Sequence, residues 1–366
     1  MKRIVYTVTD LSASGGISRV LINKTNWLVN SGEYDVSIIT EGTKQSFYQV
    51  DSRIKIYPLN IKKPYSKYII IRIYRFLIFQ IRYWLNLSRL LRKINPDVLI
   101  SANASDFYIL PFVHRRSKKI YEFHWIVSQL SEDKNRLKKV VSWVMDIVGN
   151  RYDSLVLLTQ QDKDHISNKW NNVKVIANPC SFICDTPARL LSNHAIAVGN
   201  LFYVKGFSRL LDVWSIVHQR YPDWTLSIYG DGYLREELQA KINDLSLTNV
   251  VKLEGKVSDI KNAYLQSSLS VISSYEESFS LTLLEAQTCG LPVIAFDCPW
   301  GPSELITQGV DGFLIPDGDI KAFADKVCLL IENEKLRKEM GINALNNSKS
   351  FAEDKVMAQW VRLLDQ

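Results

Sequence analysis

The stretch that most constrains the fold is residues 269–292, in which a short apolar run, a polar loop and a helical pattern follow one another. The run LSVI predicts a buried strand, and the pattern that begins near Leu281 predicts a helix that ends before Gly290. A strand–loop–helix unit of this kind places its loop at the carboxyl edge of a parallel sheet, where open α/β sheets bind ligands. The stretch therefore predicts an α/β fold with a binding site in this loop.

Two carboxylates and a helix start come together in this unit. Glu277 lies in the loop and Glu285 in the early turns of the helix, so both side chains can face one cleft. The backbone N–H groups of residues 279–282 would lie at the helix N-terminus, which is an anion-binding position. N–H groups suit a phosphate, whereas carboxylates accept hydrogen bonds from sugar hydroxyls, and a nucleotide sugar offers both. The alternative is an acidic helix start followed by an ordinary strand-to-helix turn.

Three motifs resemble a known enzyme family. Residues 277–285 resemble the Glu-x7-Glu signature of retaining glycosyltransferases with the GT-B fold (glycosyltransferase family 4), and residues 285–294, EAQTCGLPVI, resemble the next block of that family. Residues 301–306, GPSELI, resemble a variant common in bacterial polysaccharide-building members. The resemblance implies an α/β GT-B fold, in which two Rossmann-like, doubly wound domains face each other across a cleft.

The same resemblance implies which residues bind the donor. Glu277 would hold the donor sugar, and Glu285 would hold the ribose hydroxyls. Residues 198–206, VGNLFYVKG, resemble a motif whose Arg and Lys bind the donor diphosphate; Lys205 matches the lysine, but Asn200 stands at the position of the arginine. Further donor-binding residues would be Ser278, Phe279, Ser280, Leu281 and Thr282 around the helix start, and Val257 in a loop under the nucleotide base.

The first half of the chain supplies further candidates. Residues 3–9 predict a strand, and Gly15 and Gly16 in the following loop resemble the family's N-terminal glycine loop, where backbone can approach a phosphate. A plain turn is the alternative. His124 lies at the carboxyl end of another predicted strand, and a histidine there reaches the donor sugar in the family; a hydrogen-bonded packing residue is the alternative. The predicted catalytic residues are therefore His124, Lys205 and Glu277.

Positive charge is concentrated in the first half. The formal net charge is +7, and residues 1–185 hold 28 Lys and Arg against 15 Asp and Glu, whereas residues 186–366 hold 17 against 23. Residues 52–96 contain no acid, and a predicted helix there has a basic face beside a wide apolar face, which suits an anionic membrane surface or a lipid-linked diphosphate. The alternative is a core helix whose basic stripe faces solvent. The residues of this basic face are Arg72, Arg75, Arg82, Arg89 and Lys93.

The length of 366 residues predicts two domains. We expect an N-terminal acceptor-binding domain over 1–185, a C-terminal nucleotide-sugar-binding domain over 186–349, and a helix at about 350–366 that packs back onto the first. Residues 310–319 predict a hairpin-like turn. Neither a signal peptide nor a membrane-spanning run is expected. The five cysteines lack a metal-binding spacing, which indicates free thiols in a reducing compartment, and no metal cofactor is expected.

The resulting hypothesis is a metal-independent hexosyltransferase. It would move a hexose or N-acetylhexosamine from a nucleotide sugar, UDP-linked rather than GDP-linked, to a growing lipid-linked glycan in lipopolysaccharide, O-antigen or capsule biosynthesis. We expect a cytoplasmic protein that associates peripherally with the anionic surface of the inner membrane, and we expect no nucleic-acid partner. Two alternatives stay open: a nucleotide-sugar 2-epimerase of the GT-B fold, and a non-catalytic subunit that binds a nucleotide sugar.

Overall fold

The chain forms two compact units in the computed structural model, which describes residues 1–12, 15–61, 69–127, 136–166 and 169–366, without the side chains of 69–73, 76–77 and 136–141. The first unit comprises Met1–Ile176 and Met357–Gln366, and the second comprises Ala177–Val356. Residues 177–185, predicted to belong to the first domain, lie in the second unit.

Seven parallel strands form the sheet that the described residues of the first unit build. Their bounds are Lys2–Val8 (β1), Tyr34–Thr40 (β2), Lys55–Pro58 (β3), Val98–Ser101 (β4), Lys118–Glu122 (β5), Ser154–Leu157 (β6) and Val173–Val175 (β7). They lie in the order β3-β2-β1-β4-β5-β6-β7. The central strands are apolar and buried along most of their length, as parallel strands covered on both faces must be.

The helices of the first unit connect these strands. Their bounds are Gly16–Asn30 (α1), Ile69–Ile94 (α2), Arg136–Gly149 (α3) and Gln160–Ile166 (α4). Within α2, four apolar side chains spaced four residues apart form one buried face that joins the core, as an amphipathic helix requires. These residues are Phe79, Tyr83, Leu87 and Leu91.

The second unit contains six strands, all parallel. Their bounds are His194–Val198 (β8), Thr225–Tyr229 (β9), Val251–Gly255 (β10), Leu269–Ile272 (β11), Val293–Phe296 (β12) and Gly312–Ile315 (β13). They lie in the order β10-β9-β8-β11-β12-β13. The hairpin-like turn predicted at 310–319 is wrong, because β13 pairs with β12 in parallel.

Seven helices accompany this second sheet. Their bounds are Phe207–Arg220 (α5), Arg235–Asp244 (α6), Ile260–Leu265 (α7), Leu281–Thr288 (α8), Pro302–Leu305 (α9), Ile320–Glu332 (α10) and Glu334–Ser348 (α11). Apolar side chains of α5 and α10 pack against the strands in one cluster, around the fully buried Trp214 and Phe323. This core fixes the strand ends from which the loops of the candidate site emerge.

The last helix, Glu353–Asp365 (α12), runs into the first unit. Its side chains Trp360, Leu363 and Leu364 are buried. Lys2 and Lys118, which belong to β1 and β5, donate hydrogen bonds from their ammonium groups to the carbonyls of Leu364 and Leu363. These bonds also satisfy carbonyls at the helix C-terminus, which have no partner within the helix.

Candidate active site

The candidate site of the second unit lies where the strand order of its sheet reverses. Strands β8 and β11 are neighbours, yet the chain passes through β9 and β10 before it reaches β11. The loops after two such strands leave in different directions, and the crevice between them is the usual ligand position in an open α/β sheet. The two loops are residues 199–206, which carry Lys205, and residues 273–280, which carry Glu277.

An ion pair joins these two loops. The ammonium Nζ of Lys205 lies 2.7 Å from Oε1 of Glu277, and the hydroxyl of Ser274 donates to the same carboxylate oxygen at 2.7 Å. The Glu277 side chain is 8% exposed and the Lys205 side chain 24% exposed, so the cation is the more accessible partner. The fold thus brings together two predicted residues that are 72 positions apart, as a cation next to a hydrogen-bond acceptor.

The backbone also ties the two loops together. The Ser273 hydroxyl donates to the carbonyl of Lys205 at 2.9 Å, and the N–H of Tyr275 donates to the carbonyl of Val204 at 2.8 Å. Gly206 has a φ of +64°, and a Cβ atom there would lie 2.0 Å from the Ser273 carbonyl oxygen, so only glycine fits. The position of Lys205 is therefore set by the loop that carries Glu277.

Arg209 is a residue of this site that the sequence analysis missed. It lies in the first turn of α5, four residues after Lys205, and its side chain is buried. Its Nε donates to the carbonyl of Ser273 at 2.7 Å, and its Nη1 lies 2.6 Å from Oδ1 of Asp317. No local sequence pattern indicates that Arg209 belongs to the site, because its position there depends on the adjacency of β8 and β11.

The start of α8 presents backbone donors beside the same loop. Ser280, the residue before the helix, has a φ of +63° and makes no side-chain cap, and its carbonyl accepts from the N–H groups of Leu283 and Leu284. Its buried hydroxyl has no hydrogen-bond partner among the described residues.

The side chain of Phe279 is buried against Phe351, whereas the remaining predicted residues, Ser278, Leu281 and Thr282, are half-buried.

Glu285 lies one turn further along α8, with its carboxylate almost fully buried. The hydroxyl of Tyr264, from α7, lies 3.5 Å from Oε2 of Glu285 and 3.1 Å from the carbonyl of Thr282. A buried carboxylate needs polar partners, and the hydroxyl of Tyr264 is one of them. The other two predicted residues of this unit, Asn200 and Val257, have exposed side chains.

His124 lies in the first unit, two residues after the end of β5, beside a buried ion pair. Its Nε2 lies 3.3 Å from Oε1 of Glu122, and both Glu122 oxygens accept from the Lys24 ammonium at 2.6 Å. That ammonium also lies 3.9 Å from the ring centroid of Trp360. Burial alone would raise the pKa of Glu122, but Lys24 and His124 outweigh it and lower the pKa to about 2. Burial lowers the pKa of Lys24, although the neighbouring Glu122 acts in the opposite direction.

The sheet of the first unit also reverses its order, between β1 and β4. Of the predicted glycine loop at this edge, Gly16 begins α1, and Gly15 is extended with a φ of −164° and open space where a Cβ would lie.

The buried Asp106 accepts a hydrogen bond from Ser101 at 2.8 Å and another from Thr7. Burial raises the pKa of Asp106 to about 6, although these hydrogen bonds act in the opposite direction.

The basic residues predicted to contact an anionic partner lie on α2. The side chains of Arg75, Arg82, Arg89 and Lys93 are exposed, and that of Arg72 lies outside the described residues. Large apolar side chains share this exposure, namely Ile81, Trp84 and Leu85. The helix therefore has a core face, as described above, and an outer surface that is both basic and apolar.

None of the helices described is both long and apolar enough to cross a membrane. No group of three or more His, Cys, Asp or Glu side chains in the described part of the chain is arranged to hold a metal ion.

Comparison with known proteins identifies the family. The model for glycosyl transferases group 1 matches residues 188–347, and the model for Glycosyltransferase Family 4 matches residues 14–181. An uncharacterized glycosyltransferase of Haemophilus influenzae is 31% identical over 369 residues, which cover 100% of each chain. The chain belongs to glycosyltransferase family 4.

Two further similarities concern this glycosyltransferase. It is 25% identical, over 100% of its length and 98% of the relative, to the GalNAc-α-(1→4)-GalNAc-α-(1→3)-diNAcBac-PP-undecaprenol α-1,4-N-acetyl-D-galactosaminyltransferase of Campylobacter jejuni. It superposes with a TM-score of 0.83 and 17% identity on a mutant of S. aureus TarM in complex with fondaparinux, α-GlcNAc-glycerol and UDP, over 100% of both chains. The predicted GT-B fold with two Rossmann-like domains is confirmed.

Proposed function

We propose that this glycosyltransferase moves a hexose or N-acetylhexosamine from a UDP-linked donor to a lipid-linked glycan in bacterial lipopolysaccharide, O-antigen or capsule biosynthesis. Transfer retains the anomeric configuration and needs no metal ion. The observation that carries the proposal is the Lys205–Glu277 pair at the reversal of the second sheet, which puts a cation for a diphosphate next to an acceptor for sugar hydroxyls. The lipid-linked acceptor in the name of the C. jejuni relative and the UDP bound to TarM support the two substrates.

Each side chain of the second-unit site has a role in this proposal. Lys205 neutralises the donor diphosphate, together with the N–H groups at the start of α8 and the buried hydroxyl of Ser280. Oε1 of Glu277 already accepts from Lys205 and Ser274, so we assign Oε2 to a hydroxyl of the donor sugar. Glu285 accepts from the ribose hydroxyls.

The reaction requires little covalent chemistry from the protein. The bond between the sugar C1 and the diphosphate oxygen breaks, and the bond between C1 and the acceptor oxygen forms on the same face. The acceptor's proton passes to the leaving diphosphate, so no side-chain base is required. The protein contributes by orienting the substrates and by stabilising the charge that develops on the diphosphate. The role of His124 in the first unit stays a prediction.

The test begins with nucleotides alone. UDP, GDP, ADP and CMP are compared for the thermal stabilisation that each gives to the whole chain, and we expect UDP to stabilise it most. UDP-sugars are then incubated with a polyprenyl-diphosphate glycan in the presence of EDTA, and the product's anomeric configuration is measured by NMR. Absence of nucleotide binding, loss of transfer on chelation, or an inverted product would each refute the corresponding part of the proposal. A 2-epimer formed from donor alone, or donor binding without turnover when acceptor is supplied, would favour one of the two alternatives.

Matched variants test the site itself. Lys205→Met removes the cation and keeps most of the side-chain volume, and we expect turnover to fall by about 100-fold or more, the usual effect of removing a donor to developing negative charge. Glu285→Ala should weaken UDP binding. The control is Lys335→Met, which removes an exposed lysine of the same unit in α11 and should leave kinetics unchanged. Wild-type kinetics in Lys205→Met would refute its assigned role.

We also propose that α2 binds the anionic cytoplasmic surface of the inner membrane. Its exposed arginines face the headgroups while Ile81, Trp84 and Leu85 enter the interface, as in interfacial amphipathic helices. Co-sedimentation with phosphatidylglycerol vesicles should exceed that with phosphatidylcholine vesicles and decline with salt. Arg82→Glu/Arg89→Glu should abolish it, whereas Arg115→Glu/Arg116→Glu, at exposed positions of the same unit, should retain most of it. Binding that salt and the first variant leave unchanged would refute this assignment.

A further inference from the structure

Arg209 connects the two loops of the candidate site through an unusual set of contacts. Its side chain is 6% exposed, and it donates hydrogen bonds to two consecutive backbone carbonyls, those of Ser273 and Ser274, just past the end of β11. Both serines are buried, so these carbonyls would lack a partner if the guanidinium left, and leaving a buried polar group unpaired is destabilising. Asp317, whose side chain is 49% exposed, balances the charge of Arg209 from the solvent side.

The guanidinium also lies within a stack of aromatic rings. Its central carbon is 3.9 Å from the ring centroid of Tyr275 and 4.0 Å from that of Phe296. The ring of Tyr275 stacks in turn on Tyr203, with centroids 5.0 Å apart and planes 14° apart. A column therefore runs from the buried Phe296 through Arg209 to the exposed Tyr203. Such stacking requires the planar guanidinium of arginine, which lysine does not have.

This column contacts both loops immediately beside the ion pair. Tyr203 and Tyr275 each lie two residues before a member of the pair, Lys205 and Glu277. The residues whose carbonyls bind Arg209 also use their hydroxyls at the pair, because Ser273 donates to the Lys205 carbonyl and Ser274 to the Glu277 carboxylate. A shift of Arg209 would therefore move both members of the pair.

We propose that Arg209 is a positioning residue of the donor site, which holds Lys205 and Glu277 at the separation needed to bind the diphosphate and the sugar together. This inference rests on the proposed function. Arg209 is too deeply buried to serve as a second diphosphate ligand in place of the arginine that Asn200 replaces, so its contribution is geometric. Misplacement of a catalytic group by about 1 Å can cost about 100-fold in rate.

The test compares two buried arginines of the second unit. Arg209→Lys keeps the charge but loses the two-carbonyl fork and the stack. We expect kcat/KM to fall by about 100-fold and UDP affinity by about 10-fold. The matched control is Arg337→Lys, because Arg337 is also buried, donates to the carbonyls of Leu190 and Ile331, and lies over the ring of Trp224. It should lower the Tm without changing kcat/KM by more than about twofold.

A double-mutant cycle distinguishes positioning from general damage. If Arg209 acts through Lys205, the losses of Arg209→Lys and Lys205→Met in kcat/KM will not multiply in the double variant. Multiplying losses, wild-type kinetics in Arg209→Lys, or an equal kinetic loss in Arg337→Lys would overturn the proposal.

If Arg209→Lys fails to fold, Asp317→Asn and Tyr275→Leu test the proposal, because each loosens the guanidinium from its exposed side. We expect smaller losses in kcat/KM that show the same coupling to Lys205→Met. Losses that multiply with that of Lys205→Met, or no loss, would overturn the proposal. Wild-type protein that binds no nucleotide would refute the proposed function and this inference with it. Nucleotide binding that needs Lys205 but is indifferent to Arg209→Lys would refute this inference alone.

Discussion

The buried pair of Lys24 and Glu122 makes a quantitative prediction about the first unit. Glu122→Gln preserves the side-chain volume but leaves the ammonium of Lys24 buried without its counter-charge. The pKa of Glu122 is lowered from 4.5 to about 2, and at about 1.4 kcal/mol per pKa unit this corresponds to roughly 3–4 kcal/mol. Removing one partner of a buried pair typically costs about 3–5 kcal/mol, so the two routes agree.

The sign of the pH dependence follows from the same shift. Because the folded-state pKa of Glu122 lies below its unfolded value, its contribution is fully present above about pH 4.5 and is lost as the pH falls toward 2. At pH 7 the wild-type protein therefore has the whole contribution, and Glu122→Gln lacks it. The loss in the variant should shrink as the pH is lowered below about 4.5.

The assay must report on the first unit separately, because a chain with two compact units does not unfold in one two-state step. Hydrogen exchange of peptides from β1, α1 and β5 at pH 7 provides this resolution. We expect the opening free energy of these peptides to fall by about 3 kcal/mol in Glu122→Gln and in Lys24→Met, and by much less than the sum in the double variant.

A matched control comes from Asp51 in the same unit. The hydrogen bond with Arg53 lowers the pKa of Asp51 to about 2 as well, but this pair lies at the surface, where solvent screens it. Asp51→Asn should therefore leave the exchange rates of these peptides unchanged. If Glu122→Gln also leaves them unchanged, or if the two losses at Lys24 and Glu122 simply add, the pair does not stabilise the unit as argued.

Two other predictions concern a buried carboxyl and a glycine. Because burial raises the pKa of Asp106 to about 6, its contribution to folding is present below pH 3.8 and is lost as the pH rises through 6; the Tm of Asp106→Asn relative to wild type should therefore rise between pH 3.8 and about 6 and level off above that, and parallel pH profiles of the two proteins across that window would contradict this. Gly206→Ala places a Cβ against the Ser273 carbonyl and should lower UDP affinity at least about tenfold, whereas Gly309→Ala, at the similar φ of +76° but in open space, should only lower the Tm; equal UDP affinities in the two variants would show that the close approach is unimportant.

The sequence was sufficient to predict strands such as β1 and β11, because their apolar runs and the following loops are local patterns. Strand β11 and the start of α8 near Leu281 lie where they were predicted. The residues of the edge strand β13 instead predict a hairpin-like turn, because the pairing of β13 with β12 depends on the order of the strands rather than on its own four residues. Local patterns thus specify elements better than they specify neighbours.

The same distinction applies to the site. Lys205 and Glu285 are predicted from contiguous motifs, whereas Arg209 has no local pattern and depends on a loop 64 residues away. Lys24 is separated from Glu122 by 98 residues and resembles any other helical lysine. A signal for this pair was available in Glu122 at the end of the predicted strand β5, because a buried carboxylate requires a cation or several donors.

The course of α12 has a consequence for synthesis on the ribosome. Residues 357–366 belong to the first unit, and Trp360 covers the ammonium of Lys24, but all of residues 177–356 are translated in between. Translation proceeds at about 5–20 residues per second, so the nascent first unit waits roughly ten seconds or more for these residues. During that interval its Lys24–Glu122 pair lacks the ring of Trp360, and the first unit is completed only after the whole of the second has been synthesised.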